Sequence, residues 1–307
     1  MAELRYCRHK EIDQEKWDKA IDQSYNGLVY AYAFMLNHMT GKRWDALIYG
    51  DYEAVFPLPW NRKFGIAYLY QPYLCQQLGL FSDKKISTEF LQQFIDAIPK
   101  RFRYWKIHLN SENTFFHPRM DFVNRTTYQI RLNREYTDIY DHYNADAKKN
   151  LAKAAIAGFD IKKDIGIDMV ITCFTGAYGT YYPKDEQLYR RLADCERYAI
   201  QHGKGFTRAV YGRDGKLWCA GFFFIAKGMI HYAMAAPTEE GKKYGATHIL
   251  IDQVIKEFAG QDLVFDFEGS DIKSVAYFYS KFGSKPIYYL QLTNNRLPWW
   301  CKFLKRN

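Results

Sequence analysis

The sequence predicts an α+β (mixed α/β) chain of two halves, each a mostly antiparallel central sheet flanked by helices. Three observations carry this reading. Two three-strand meanders recur, across 44–70 and 206–234. A pair of helices precedes each, across 14–39 and 167–202. A short echo links them: Ala46-Leu-Ile-Tyr49-Gly50-Asp51 against Ala209-Val-Tyr211-Gly212-Arg-Asp214. Self-similar element order of this kind marks an internal repeat. The division is expected at 135/136, giving halves 1–135 and 136–307.

Taken in order, Leu4–Cys7 reads as a strand. Gln14–Gln23 reads as a helix, with Trp17 and Ile21 four apart on one face. A second helix, Ala31–Met39, ends at Gly41. Trp44–Tyr49, Ala54–Trp60 and Phe64–Tyr70 form the first meander, turning at Gly50-Asp51 and at Asn61-Arg62-Lys63. The stretch Tyr70–Gly79 sets polar amides among aromatic residues. It either lines a pocket or is a buried loop whose glutamines satisfy backbone groups. Ser87–Ile98 is a helix with a Phe90, Leu91, Phe94, Ile98 stripe, and Tyr104–Leu109 is a strand. An irregular segment holds His117 and Pro118, and Thr126–Leu132 is a further strand.

The second half opens with a helical section from Tyr136. Asp146–Gly158 is alanine-rich, with an acid at its start and a glycine at its end, as a helix requires. Lys148, Lys149 and Lys153 give it a basic side. Strand Phe159–Lys163 and helices Ile167–Tyr178 and Gln187–His202 follow. Strands Phe206–Tyr211, Trp218–Ile225 and Met229–Met234 make the second meander. A loop, Ala235–Gly241, leads to a helix over Gly245–Ala259. Leu263–Phe267 is a short, apolar, buried strand. Glu268-Gly269-Ser270 turns the chain, and Ser270 and Asp271 offer a helix cap. Ile272, Val275, Ala276, Tyr279 and Phe282 then repeat at helical spacing. Gly283 ends that helix, and Ile287–Leu292 is the last strand.

Composition narrows the function. The chain has 307 residues, 18% of them aromatic, which excludes a disordered protein. No run of about 18 apolar residues exists, so no membrane span is expected. The N-terminus lacks a signal-peptide core. The six cysteines are scattered with no CxxC pair, so reduced thiols in a cytoplasmic protein are expected, without a metal site. A net charge of +9 permits an anionic cofactor or a nucleic acid. Motifs for nucleotide hydrolysis, metalloprotease zinc and nicotinamide binding are absent.

Ala276-Tyr-Phe-Tyr279-Ser-Lys-Phe282-Gly283 resembles the last helix of the GNAT acyltransferases, and FDFEGS before it resembles their FemABX branch. Lys148-Lys149-Asn150 with Lys153 and Gly158 also resembles the FemABX pattern ahead of the second half. This resemblance implies two GNAT-like halves in one chain and covers most of it. It implies an N-acyltransferase or aminoacyltransferase acting on a small-molecule or peptide amine. The donor would be acyl-CoA or aminoacyl-tRNA, with tRNA then a candidate partner. It further implies Tyr279 as general acid. FemABX enzymes carry a lysine directly after the phenylalanine of this helix; here Tyr279 follows Phe278, and Lys281 lies two further on.

Acyl transfer to an amine needs a base, an oxyanion partner and a proton for the leaving group. Glu268 or Asp266 is the candidate base. Tyr279 has a second reading, a core tyrosine whose hydroxyl sits at the edge. Lys242-Lys243-Tyr244-Gly245-Ala246-Thr247 stands where GNAT enzymes cradle pyrophosphate, with Lys242, Tyr244, Gly245, Ala246 and Thr247 as cofactor candidates. Thr247 alternatively caps a plain helix. Candidate substrate contacts are Gln71, Tyr73 and Gln76, then Lys148, Lys149 and Asn150, then Tyr182, Gly269, Ser270 and Lys281. His231 and His248 are alternative bases. A reading from another class also stands: a non-catalytic protein of this fold that recognises RNA or a peptidoglycan precursor through its basic surface.

Overall fold

The computed structural model describes residues 3–115, 120–179, 185–269 and 271–297. In chain order the elements are β1 (Leu4–Cys7), α1 (Gln14–Gln23), α2 (Ala33–Thr40), β2 (Trp44–Tyr49), β3 (Ala54–Lys63), β4 (Ile66–Leu69), β5 (Phe81–Ser82), α3 (Thr88–Asp96), β6 (Phe102–His108) and β7 (Asp121–Arg131). There follow α4 (Tyr136–Asp141), α5 (Ala145–Ala157), β8 (Phe159–Lys163), α6 (Ile167–Tyr178), α7 (Glu186–Gln201), β9 (Gly205–Gly212), β10 (Leu217–Ala226) and β11 (Met229–Pro237). The chain ends through α8 (Glu239–Lys243), α9 (Ala246–Phe258), β12 (Val264–Gly269), α10 (Lys273–Ser280) and β13 (Lys285–Asn295). The protein is α+β, with mostly antiparallel sheet flanked by helices.

Two compact units form, Met1–Arg125 with Tyr288–Asn307, and Thr126–Ile287. The division read from sequence was 135/136, with the whole tail in the second half. The tail from Tyr288 instead belongs to the first unit, because β13 pairs antiparallel with β6 from Gln291↔His108 to Asn295↔Tyr104.

In the first unit the strands run β1-β2-β3-β4-β6-β13, with β5 against β3. Only β4 and β6 among these pairings are parallel. Asp13 caps α1, accepting from the Glu15 and Lys16 amides. Fully buried Trp17 donates its indole N–H to the Ala31 carbonyl at 2.7 Å, which fixes α1 against the next turn. Leu91, Phe94 and Ile95 of α3 bury against Phe56, Phe102 and Trp105.

In the second unit the order is β7-β12-β11-β10-β9-β8. Gly221 and Phe223 face α9, whose Ile249, Leu250, Val254 and Ile255 fill the core with Phe265 and Phe267. Phe222 faces the other way, with Ala199 of α7 close by. Sequence reading missed α8, where it expected a loop to Gly241. Thr238 supplies its N-cap by accepting from the Gly241 amide at 3.0 Å. It also missed that β11 runs on to Pro237 and that Pro286 lies inside the last strand.

Gly241 carries α8 directly over β10: a Cβ there would stand 1.9 Å from the Trp218 carbonyl oxygen. Gly203 has φ +65 with open space around it. Gly241→Ala should therefore cost about 3 kcal/mol through forced backbone movement, and Gly203→Ala about 1 kcal/mol through φ strain alone. Urea denaturation measures both, and equal costs would contradict the packing described.

Candidate active site

The pairing of β11 with β12 is the only parallel one in the second unit's sheet among the described strands, and it is short. It joins Met229↔Val264, Ile230↔Phe265 and His231↔Asp266, then stops. Both strands continue beyond it, β11 to Pro237 and β12 to Gly269. They part after His231 and Asp266. Ahead of that point, β11 keeps its ladder with β10 on one edge and has no ladder with β12 on the other.

Both strands are bulged just past that point: Tyr232 and Ala233 of β11 together oppose Phe223 of β10, and β12 bulges against β7. Asp266 pairs with Gln129 and Gly269 with Thr127, so Phe267 and Glu268 together oppose the single residue Tyr128. Glu268 takes φ +67, a left-handed conformation that a bulge normally assigns to glycine. Holding a glutamate there costs about 1 kcal/mol or more, and the neighbours must offset it. Asp266 is the neighbour that does so. Its carboxylate is buried and accepts from the Thr127 hydroxyl at 2.5 Å, the Gln129 amide at 2.8 Å and the Glu268 backbone N–H at 2.7 Å. Three donors meet the requirement that a buried carboxylate be paired. Asp266 was expected as a base; its oxygens are instead committed to holding the bulge, and it positions Glu268.

His231 lies beside them, its Nδ1 3.7 Å from a Glu268 carboxylate oxygen. Burial lowers the His231 pKa below the usual imidazole range, against an opposing pull from Asp266. Sequence reading held His231 only as an alternative base. Its place next to Glu268 depends on the strand register, which single-strand patterns do not specify.

Tyr279 approaches from the opposite face. Its ring lies 4.9 Å from Phe267, 6.3 Å from Tyr232 and 6.5 Å from Tyr128, centroid to centroid. Phe267 and Tyr232 are the first residues past the point of parting. Strand alternation puts Phe267 opposite Asp266, Tyr232 opposite His231, and Tyr128 opposite Thr127 and Gln129. The acid and the base expected from sequence therefore flank the end of β12 from its two sides. Burial raises the Tyr232 pKa far above the usual phenol range, so this neighbour stays protonated.

The N-terminus of α9 lies within the same unit. Gly245 opens it at φ +64, and no side chain caps it. Thr247, one candidate cap, instead directs its hydroxyl to Cys219, a thiol whose pKa burial raises. Tyr244 stacks on Trp218 at 4.3 Å. Lys242 and Lys243 pair with Glu239 and Glu240 at 2.5 and 2.7 Å, on their own short helix. Helix α5 packs against α9. A Cβ at Gly245 would stand 3.2 Å from Asn150 Oδ1, and Lys153 Nζ donates to the Lys243 carbonyl at 2.8 Å. The expected pyrophosphate cradle is thus tightly neighboured by α5, with both of its lysines already partnered.

The other candidates are scattered. Lys148 donates to the Asp141 carbonyl at 3.1 Å, and Lys149 is exposed. Lys281 pairs with Asp146. His248 stands near that pair, with its ring on Phe278 at 4.8 Å. Burial and the Lys281 charge push the His248 pKa down to about 4. In the first unit, Gln71 accepts from the His108 amide at 2.9 Å and donates to the Cys75 carbonyl. The Gln76 carbonyl meets His108 Nδ1 at 3.0 Å. Gln71 thus does the backbone-satisfying work that was one of the two readings of this loop. Tyr73 is half-buried in it. Gly269 closes β12, while Tyr182 and Ser270 lie outside the described residues.

No protein-family model matches the sequence, and no curated protein matches it. Solved structures do match. FemX aligns with a TM-score of 0.66 at 10% identity, over 94% of this chain and 96% of that one. A conserved protein of unknown function from Bacteroides thetaiotaomicron VPI-5482 aligns with a TM-score of 0.58 at 10% identity, over 95% and 99%. L-PGS from Bacillus licheniformis aligns with a TM-score of 0.53 at 10% identity, over 93% of both chains. At such identity the likeness establishes a shared fold alone: this chain has a FemX-like fold.

The depressed His248 pKa sets a pH dependence of stability. The unfolded chain takes up a proton near the ordinary imidazole value of 6.5, whereas the folded ring resists it until about pH 4. Stability is therefore intact above 6.5 and falls as pH drops from 6.5 towards 4. A fully buried ring would lose about 3 kcal/mol over that window, and this partly exposed one about 2 kcal/mol. His248→Phe should remove that component, read as the difference between the two unfolding free energies from pH 7 to 4. Parallel profiles would contradict the assignment.

Proposed function

We propose that this protein is an N-acyltransferase of aminoacyltransferase type, moving an aminoacyl group to an amine acceptor. The parting of β11 and β12, with Glu268 on one side and Tyr279 on the other, is the observation that carries the reading. Those two residues can reach one reacting centre only through the gap between the strands. A donor inserted there would lie against the edge of β11 that has no ladder with β12, whose amides suit an extended ligand and a developing oxyanion.

In this reading Glu268 takes a proton from the acceptor amine. The amine nitrogen then forms a bond to the acyl carbon. As the intermediate collapses, the acyl–oxygen bond breaks, and Tyr279 gives its proton to the departing ribose hydroxyl. Asp266 holds Glu268 in place through the 2.7 Å bond to its amide. Neutral His231 beside Glu268 adds no competing positive charge.

Between the two donors, the surroundings of α9 favour aminoacyl-tRNA. A CoA pyrophosphate needs the amides at a helix N-terminus and free cations beside them. Here Asn150 and Lys153 from α5 stand against that turn, and Lys242 and Lys243 are engaged by glutamates. The FemABX resemblance of the 265–283 motif supports the same donor, and the basic chain suits a nucleic acid partner.

Tyr279→Phe and Glu268→Gln should each lower transfer from a charged tRNA pool to a lysine-containing peptide by about 100-fold or more. Circular dichroism and the melting temperature should stay those of the parent. Transfer that survives both substitutions would overturn the site assignment.

A further inference from the structure

A cavity of about 620 Å³ opens in the first unit, lined by Arg43, Arg62, Arg101, Arg103, Trp60 and the β3–β4 hairpin around Gly65. It lies where β4 and β6 begin, Ala67 pairing with Phe102. Trp60 and Arg62, two apart on β3, share one face, and Arg101 and Arg103 flank buried Phe102.

Four guanidinium groups meet one carboxylate. Asp45 pairs with Arg101, and also accepts from the Tyr6 hydroxyl at 2.6 Å and the His9 amide at 2.9 Å. Arg43 donates only to a neutral amide, Asn61 Oδ1, at 3.0 Å. Among the described residues Arg43, Arg62 and Arg103 have no carboxylate partner within ion-pair distance. Arg101 is held rigidly, its guanidinium 4.5 Å from the Phe102 ring centroid and 5.4 Å from that of Trp60. The Trp60 indole N–H is sheltered from water and has no hydrogen-bond partner.

We infer that this cavity is a second binding site, for a compact ligand bearing a diphosphate or two neighbouring phosphate groups. Arginine forks match phosphate oxygens in pairs, and a cluster of them outbids water for a doubly charged group. The cavity volume is that of a small-molecule site, and all four arginines line it. None of these residues belongs to the transfer site proposed above.

Calorimetric titration with inorganic diphosphate tests the site, at low salt and at about 0.15 M, where screening is strong. Saturable one-site binding that weakens with salt is expected. Arg62→Glu with Arg103→Glu should weaken it at least tenfold, while Lys84→Glu with Lys85→Glu, the same change of net charge elsewhere on the first unit, leaves it unchanged. Circular dichroism checks both folds, and Arg62→Gln with Arg103→Gln should give an intermediate loss. A nucleoside diphosphate binding more tightly than inorganic diphosphate would identify the ligand as a diphosphate ester of an organic molecule. Equal affinity would identify it as free diphosphate. No saturable binding, equal loss in both charge-reversed variants, or displacement by RNA oligomers whose affinity rises with length would each overturn the proposal.

Discussion

A single buried carboxylate, that of Asp266, holds the geometry of the second unit's sheet. It ties β12 to β7 through Thr127 and Gln129 and takes the amide of Glu268. The bond to the Glu268 amide helps hold that residue's left-handed backbone. Asp266 shapes the β12 side of the parting; on the β11 side Tyr232 and Ala233 bulge against Phe223.

The arrangement also explains why a core so rich in aromatic side chains is interrupted where it is. Phe265, Phe267, Phe282 and Tyr279 form a contiguous cluster on the α9 side. That cluster fixes α10 against the end of β12. Gly283 completes the hold: its Cβ position lies 2.8 Å from His142, and the Asn144 amide bonds the Lys281 carbonyl at 2.9 Å. Tyr279 is thus both part of the core and at its border, so the two sequence readings of this residue do not exclude one another.

Much of the fold was legible in the sequence. The meanders, the helix pairs and the strand–turn–helix at 263–283 are local features, each set by hydrophobic period and by turn residues. What local pattern could not supply was register. The pairing of His231 with Asp266, the bulge opposite Tyr128 and the return of β13 to β6 depend on contacts distant in sequence. The role of Asp266 was missed for that reason: its partners lie 137 and 139 residues away. Lys242 was read as a cofactor candidate, and its pairing with Glu239 was not foreseen because Glu239 fell in a stretch taken as loop. The arginines at 43, 62, 101 and 103 drew no notice, since strand pairing alone brings them together.

The account rests on the parted strands receiving an aminoacyl donor rather than a CoA ester. The most direct measurement is calorimetric titration of the purified chain with acetyl-CoA and, separately, with charged tRNA. The account predicts no saturable heat with acetyl-CoA, and binding of charged tRNA that weakens steeply with salt. Micromolar, one-site binding of acetyl-CoA would contradict it, and would return the 242–247 turn to the role of a pyrophosphate cradle.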